Sequence, residues 1–229
     1  MIGIIGAMES EVAAIYAQMT SKDIIEYNGI KFYKGQLFQK DVVVIQCGIG
    51  KVNAALCTQL LILKFSVEKI INTGIAGATG KGLNMYDFVI STSAVYHDFD
   101  TTFFGYKIGQ VPGMPETFEA DPVMADAAIS AFNNSSLSKD HKITKGLIAS
   151  GDQFIAGGEK KNFIVSTFSP MCVEMEGCAI AHTCYKNKIP FVIVRCMSDC
   201  ADDTVETTYD EEKASVLSST MLLEVIKSI

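Results

Sequence analysis

The stretch PFVIVRCMSD, residues 190–199, is apolar for most of its length and ends in the polar pair Ser198 and Asp199. It has the length of a strand, and its apolar residues are consecutive rather than alternating with polar ones, which is typical of a strand covered on both faces. Runs of this kind, repeated between helical patterns, predict an α/β fold. The two polar residues then lie at the carboxyl end of a buried strand.

Similar apolar runs recur along the chain and alternate with helical patterns. The runs are IGIIGA (2–7), DVVVIQCG (41–48), KIINTG (69–74), YDFVISTSAVYH (86–97) and KGLIAS (145–150). The helical patterns cover roughly residues 9–19, 51–65, 122–132, 175–187 and 210–228. Two strand-like runs within residues 31–48 are joined by the polar turn FQKD, so we expect an antiparallel or mixed pair there.

Length and charge limit the class of protein. The 229 residues fit one α/β unit, and we expect a single domain over residues 1–229. The formal net charge is −7 and Arg195 is the only arginine, which argues against nucleic-acid binding. The sequence shows neither a cationic leader nor an apolar run that would span a bilayer, so we expect a cytoplasmic protein that binds no membrane.

Cysteine and histidine usage gives no sign of a metal. The seven cysteines are odd in number, lie mostly in apolar segments and never form a C-x-x-C pair, so we expect reduced, buried thiols. His97, His141 and His182 are too scattered in the sequence to indicate a metal site. We predict no metal and no cofactor.

Two glycine-rich stretches follow strand-like runs. GIGK (48–51) and GIAGATGKG (74–82) fit neither the P-loop pattern nor the dinucleotide-binding pattern. Either they allow the backbone to approach a ligand closely, or they only turn the chain.

Acidic residues also stand at predicted strand ends. In AMESEV (7–12) the helix dipole accounts for Glu9, whereas Glu11 is a better candidate for function, because ligands gather at the carboxyl ends of strands in α/β sheets. The same position makes Ser198 and Asp199 candidates, with a helix cap or a turn as the alternative.

Two carboxylates in VEMEG (173–177) occupy an otherwise apolar segment. On an extended backbone Glu174 and Glu176 face the same side, whereas on a helix they diverge. An ion pair or an exposed position is the alternative explanation, and it suits Glu174 better than Glu176. The other unusual segment is residues 97–122, a long irregular stretch whose aromatic residues argue for a functional loop.

Taken together, these motifs resemble the 5'-methylthioadenosine/S-adenosylhomocysteine nucleosidases. The matching stretches are GIIGAMESEV (3–12), CGIGKVNAA (47–55), INTGIAG (71–77), YHDFDTTFFGY (96–106), GQVPGMP (109–115), SGDQFI (150–155), VEMEG and VRCMSDCAD (194–202). Each is weak alone, but their order along the whole chain is specific. The resemblance implies a three-layer, nucleoside phosphorylase-like fold with a mixed central β-sheet flanked by helices, and a homodimer.

The resemblance also implies an activity and its main residues. The reaction would be hydrolysis of the N-glycosidic bond of 5'-methylthioadenosine and S-adenosylhomocysteine, and also of 5'-deoxyadenosine, to adenine and the corresponding ribose. Glu11 would prepare the attacking water and Asp199, fixed by Ser198, would act at adenine N7. Glu176 would hold the ribose hydroxyls, and Arg195 would steady the side of the water and the carboxylates.

Further positions follow from the same resemblance. Phe154 and Ile155 would contact adenine, Met175 the ribose, and Met8, Ile49 and Tyr209 the 5'-substituent. Glu174 counts as substrate-binding beside Glu176, with the ion pair as its alternative. Phe104 and Pro112 of the partner subunit would close the 5' pocket.

Two positions depart from the family pattern, and two other functions compete with hydrolysis. Ile75 replaces a small hydroxyl residue near the proposed acid, and Tyr209 replaces a common Phe. A purine nucleoside phosphorylase on the same fold would need a cationic phosphate cradle, which a chain with one arginine lacks. A non-catalytic adenosine-binding protein would keep the pocket without the three acids.

Overall fold

The computed structural model describes residues 1–199 and 209–229, which form one mixed sheet with helices on both faces. The strands are β1 (Ile2–Gly6), β2 (Thr20–Tyr27), β3 (Ile30–Leu37), β4 (Lys40–Gln46), β5 (Lys69–Ala78), β6 (Phe88–Tyr96), β7 (Phe118–Glu119), β8 (Ile143–Ser150), β9 (Cys172–Glu174) and β10 (Phe191–Asp199). The helices are α1 (Glu9–Gln18), α2 (Lys51–Phe65), α3 (Pro122–Asn134), α4 (Gly158–Phe168), α5 (Gly177–Asn187) and α6 (Glu211–Ser228).

The strand order brings several carboxyl ends to one edge. β4, β1, β5 and β10 are neighbours in that order and run parallel. On the far side of β10 the sheet continues through β6, β8 and β9, and β9 pairs back with β5. Among the described residues, β5, β10, β6, β8 and β9 thus form a closed ring, while β1, β4, β3 and β2 extend from it as an open sheet. The mixed sheet predicted from the sequence is confirmed.

Helices cover both faces, which explains the uninterrupted apolar strands. In β4, Val42 and Val44 pack into the layer formed with α1, α3 and α6, whereas Val43 and Ile45 pack into the layer formed with α2 and α5. Such a strand has no solvent face and therefore no polar alternation.

Most elements lie where the sequence predicts them, with a few differences. The helix predicted at 175–187 begins at Gly177, so Glu176 lies at its N-cap. The prediction missed β2, β7, β9 and α4. β2 has no buried residue and α4 buries only Ile164, so neither segment carries a clear apolar pattern.

The six cysteines within the described residues are free and buried, as predicted for them, whereas Cys200 lies outside the described residues.

Among the helices of the described residues, none combines the length and apolar character that crossing a bilayer requires.

Candidate active site

A cleft opens where β1, β5, β9 and β10 end, and it collects most of the predicted site residues. Its cavity volume is about 120 Å³, and its mouth is open to solvent. Its lining includes Met8, Glu11, Ile49, Ile75, Phe154, Glu174, Met175, Glu176, Ser198, Asp199 and Tyr209. Three acidic side chains that are distant in sequence, those of Glu11, Glu176 and Asp199, therefore lie in one cleft.

Glu11 is held by backbone amides from two strand ends. Its Oε2 accepts hydrogen bonds from the N–H groups of Ala7 (2.6 Å) and Met8 (3.0 Å), and its Oε1 accepts one from Ile75 (3.0 Å). Burial raises the pKa of Glu11, while Arg195 and these amides oppose the rise. The result is a fixed carboxylate with a higher proton affinity than one in water, as a group that activates water requires.

Glu176 lies at the N-cap of α5 and reaches across to a glycine-rich loop. Its Oε1 accepts a hydrogen bond from the N–H of Gly50 at 2.8 Å. Gly50 has a φ of 98°, a left-handed region that other residues rarely adopt, so this amide depends on glycine. Burial raises the pKa of Glu176 to about 7, and the charge of Glu174 adds to the rise. Both glycine-rich stretches contribute to the cleft lining, the first through Ile49 in a loop and the second through Ile75 to Gly77, which lie within β5.

Glu174 forms the ion pair that its sequence position suggested as an alternative. Its Oε2 accepts from Nη2 of Arg195 and from the backbone N–H groups of Glu176 (3.1 Å) and Gly177 (2.7 Å). Ser150 donates to its other oxygen. The side chain borders the cleft, but its oxygens face this buried network.

Arg195 lies behind the cleft and does not line it. It is fully buried, and its Nη2 is 3.8 Å from Oε2 of Glu176. A side-chain carbon at Gly74 would collide with Nη1 of Arg195 and with Oε1 of Glu11, so both groups occupy the space that this glycine leaves. Three carboxylates thus surround one guanidinium, and the site carries an excess of negative charge.

Asp199 is placed by an irregularity at the end of β10. Met197 pairs with Ala76 and Asp199 pairs with Gly77, so Ser198 is an extra residue in a β-bulge. Bulges next to active sites re-aim a side chain. Ser198 Oγ donates to Oδ2 of Asp199 at 3.1 Å.

Apolar side chains form the other walls. Phe154 and Tyr209 meet edge to face at the cleft, with ring centroids 5.9 Å apart, and Tyr209 Oη donates to Oε2 of Glu211 at 3.1 Å. Ile155 lines a smaller adjoining cavity that also includes Phe154 and Asp199. The chain's own Phe104 and Pro112 do not line the cleft, and Phe104 is 73% exposed.

Comparison with known proteins identifies the family of the chain. Residues 1–227 match the model of the phosphorylase superfamily. The chain is 45% identical, over the whole of both chains, to a 5'-methylthioadenosine/S-adenosylhomocysteine nucleosidase of Staphylococcus carnosus. The chain belongs to this nucleosidase family.

Solved structures of the family are also similar. The nucleosidase of Neisseria meningitidis in complex with methylthio-immucillin-A is 38% identical and superposes with a TM-score of 0.94, covering 100% of this chain and 99% of that one. The nucleosidase of Colwellia psychrerythraea in complex with adenine is 41% identical with a TM-score of 0.93, covering 99% and 94%. The fold inferred from the resemblance is therefore confirmed.

The sequence analysis missed one polar residue at the back of this family site. Asn72 is 1% exposed and lies in β5, where its side chain contacts Arg195. The signal was present, because Asn72 and Thr73 interrupt an otherwise apolar strand.

Proposed function

We propose that the protein hydrolyses the N-glycosidic bond of 5'-methylthioadenosine and of S-adenosylhomocysteine, releasing adenine and the thioribose. One observation carries the proposal: Glu11, Glu176 and Asp199, far apart in sequence, border one cleft at the strand ends. The sequence match to a known nucleosidase of this family extends over the whole chain. The active unit is the single domain of residues 1–229.

The excess negative charge suits the transition state of this reaction. As the bond to adenine breaks, the ribose becomes cationic and resembles an oxocarbenium ion. Carboxylates fixed beforehand near that charge stabilise it more than they stabilise the neutral nucleoside, and this difference accelerates the reaction. Glu176 accepts hydrogen bonds from the 2'- and 3'-hydroxyls and contributes to this stabilisation.

Glu11 acts on the water. Its carboxylate is held by three backbone amides, so it cannot turn away from the cleft. In its ionised form it accepts a proton from the attacking water.

Asp199 acts on the leaving group. Adenine leaves more readily when N7 is protonated, and a positioned acid contributes about 10²- to 10⁴-fold in rate. Asp199 is buried beside Ser198, which orients its carboxyl group. It acquires its proton when adenine binds.

Apolar residues select the substrate. Phe154 stacks on adenine with Ile155 beside it, and Met175 lies under the ribose. Met8, Ile49 and Tyr209 surround the 5'-thio group.

Phosphorolysis fits the cleft less well. An incoming phosphate would meet Glu11 and Glu176. The guanidinium of Arg195 is fully buried and already paired with Glu174. Like-charge repulsion would therefore oppose phosphate binding.

A homodimer completes the site. Val52, Leu56 and Leu63 on α2 are exposed apolar residues on one helix face, and Phe103 and Phe104 are exposed in the 97–122 loop. We expect this surface to be buried between two copies, so that Phe104 and Pro112 of the partner subunit close the 5' pocket. In sedimentation experiments Leu56→Glu should yield monomers with a raised KM, whereas Val216→Glu, an equally exposed apolar position on α6, should leave the dimer intact.

The free, buried cysteines among the described residues are consistent with action in the cytoplasm, where removal of methylthioadenosine serves methionine salvage.

An assay of released adenine tests the activity. The purified protein is incubated without phosphate with 5'-methylthioadenosine, S-adenosylhomocysteine, 5'-deoxyadenosine and aminodeoxyfutalosine in parallel. Adenine release from the first two, unchanged by added phosphate, supports hydrolysis. Release that requires phosphate would establish a phosphorylase, and tight binding without release over hours would establish a binding protein.

A further inference from the structure

Asn72 is a buried polar residue in the middle of the sheet, and both the nitrogen and the oxygen of its side-chain amide form hydrogen bonds. Its Nδ2 donates to the backbone carbonyl of Ile5 in the neighbouring strand β1 at 2.9 Å. Its Oδ1 accepts from Nη2 of Arg195 at 2.6 Å. The bond to β1 fixes the orientation of the amide and therefore the position of the oxygen that faces Arg195.

The contacts of the guanidinium show why this oxygen matters. Nη2 has two N–H groups, and they point to Asn72 and to Glu174. Nη1 has only a long contact of 3.5 Å to the carbonyl of Thr73, and Nε has no hydrogen-bond partner among the described residues. The guanidinium plane is therefore defined mainly by the two partners of Nη2.

We propose that Asn72 is a positioning residue for the reaction: it holds the guanidinium of Arg195 between Glu11 and Glu176 and so controls how strongly the positive charge acts on these two carboxylates. The inference rests on the proposed function for the roles of Glu11 and Glu176. Asn72 does not line the cleft and acts only through Arg195.

The surrounding charges set the direction of the effect. Arg195 faces Glu11, Glu174, Glu176 and the thiol of Cys172, and its positive charge opposes the rise in pKa that burial causes at Glu11 and Glu176. Burial raises the pKa of the Cys47 thiol, and the nearby charges of Glu176 and Glu11 add to the rise. If the guanidinium is displaced or neutralised, the pKa of each of the two carboxylates rises.

Two variants separate positioning from a merely structural role. Asn72→Asp keeps an oxygen for Arg195, loses the hydrogen bond to Ile5 and adds a fourth carboxylate, so it measures the effect of added charge, which should move the acid limb of the kcat/KM profile up by about one pH unit. Asn72→Leu removes both hydrogen bonds and should lower kcat by about 10²-fold, with a smaller change in KM. The matched control is Ser91→Ala, which removes a buried hydroxyl that accepts from the backbone of β10 at 2.9 Å, away from the acids.

A second measurement tests the inference and does not depend on catalytic turnover. Carbon-13 labelling of the glutamate carboxyl groups, with Glu11→Gln and Glu176→Gln to assign the signals, reports the titration of each side chain directly. We expect both carboxyl groups to titrate at higher pH in Asn72→Leu, which adds no charge, than in the wild type and in Ser91→Ala. If the Asn72 variants lose stability as Ser91→Ala does, with unchanged carboxyl titration, Asn72 is only structural and the inference is wrong. If the wild type releases no adenine, the proposed function fails, while the titration still decides the role of Asn72.

Discussion

Glu174→Gln should separate stability from catalysis in this site. The substitution preserves shape but removes the charge that pairs with Arg195. It also turns one oxygen into an NH2 group in a place where Ser150 and the N–H groups of Glu176 and Gly177 all donate. Turned toward Arg195, the NH2 group meets only donors; turned toward Ser150, it can donate to the hydroxyl, which then loses its own acceptor.

The magnitude follows from the burial of the pair. Removing one partner of a buried ion pair costs about 3 to 5 kcal/mol, because the other charge stays buried without compensation. Asn72 and the carboxylates of Glu11 and Glu176 still act on Arg195, so we expect the lower end, about 3 kcal/mol. In a chain of this length that loss lowers Tm by about 6 to 12 °C.

Urea unfolding and adenine release per folded molecule measure the two effects separately. Turnover in Glu174→Gln should fall far less than in Glu11→Gln, because Glu174 moves no proton in the proposed reaction and the amide oxygen can still accept from Nη2 of Arg195. Glu212→Gln, exposed on α6, is the control for removing a carboxylate. A stability loss below about 1 kcal/mol, the size of an exposed ion pair, would refute the energetic argument. Turnover as low as in Glu11→Gln would refute the assignment of roles.

Three other substitutions test the remaining parts of the site. Glu11→Gln and Asp199→Asn should each lower kcat by at least about 10²-fold, because each removes a proton-transfer group; a Glu212→Gln control with the same loss would contradict this. Glu176→Gln should become more stable relative to the wild type as the pH rises from about 4.5 to about 7, because the wild type loses over this range the stability that it gains from the raised pKa of Glu176. Equal differences in urea midpoint between the two proteins at pH 4.5 and pH 8 would contradict this. Gly74→Ala should lower kcat by about 10²-fold by displacing the groups packed against Gly74, and near wild-type kinetics would show that this space is not needed.

The sequence predicts the fold where burial is two-sided. The apolar runs of β1, β4 and β10 are read directly, because helices cover both faces of these strands. By contrast, β2 is the outermost strand and has no buried residue, so its sequence lacks the apolar run of a buried strand. The closing of β9 onto β5 involves two residue pairs and leaves no pattern in the sequence.

The candidate site divides in a similar way. Glu11 and Asp199 became candidates because each stands near the carboxyl end of a predicted strand, where ligands gather in α/β sheets, and both line the cleft. The partners of Arg195 could not be predicted, because the contacts of Asn72 and Glu174 with it depend on strand register across β5, β9 and β10. The roles of Phe104 and Pro112 stay predictions that concern a second copy of the chain.

The closed ring of strands has a consequence for self-association through backbone pairing. Within the described part of the chain, the strands of the ring are occupied on both sides, and the long unpaired margin of the sheet is the outer side of β2. That margin carries Lys22, Asp23 and Glu26. Charges of both signs on an edge strand discourage another strand from docking there, so fibre growth by sheet extension is suppressed at the position where the fold would permit it.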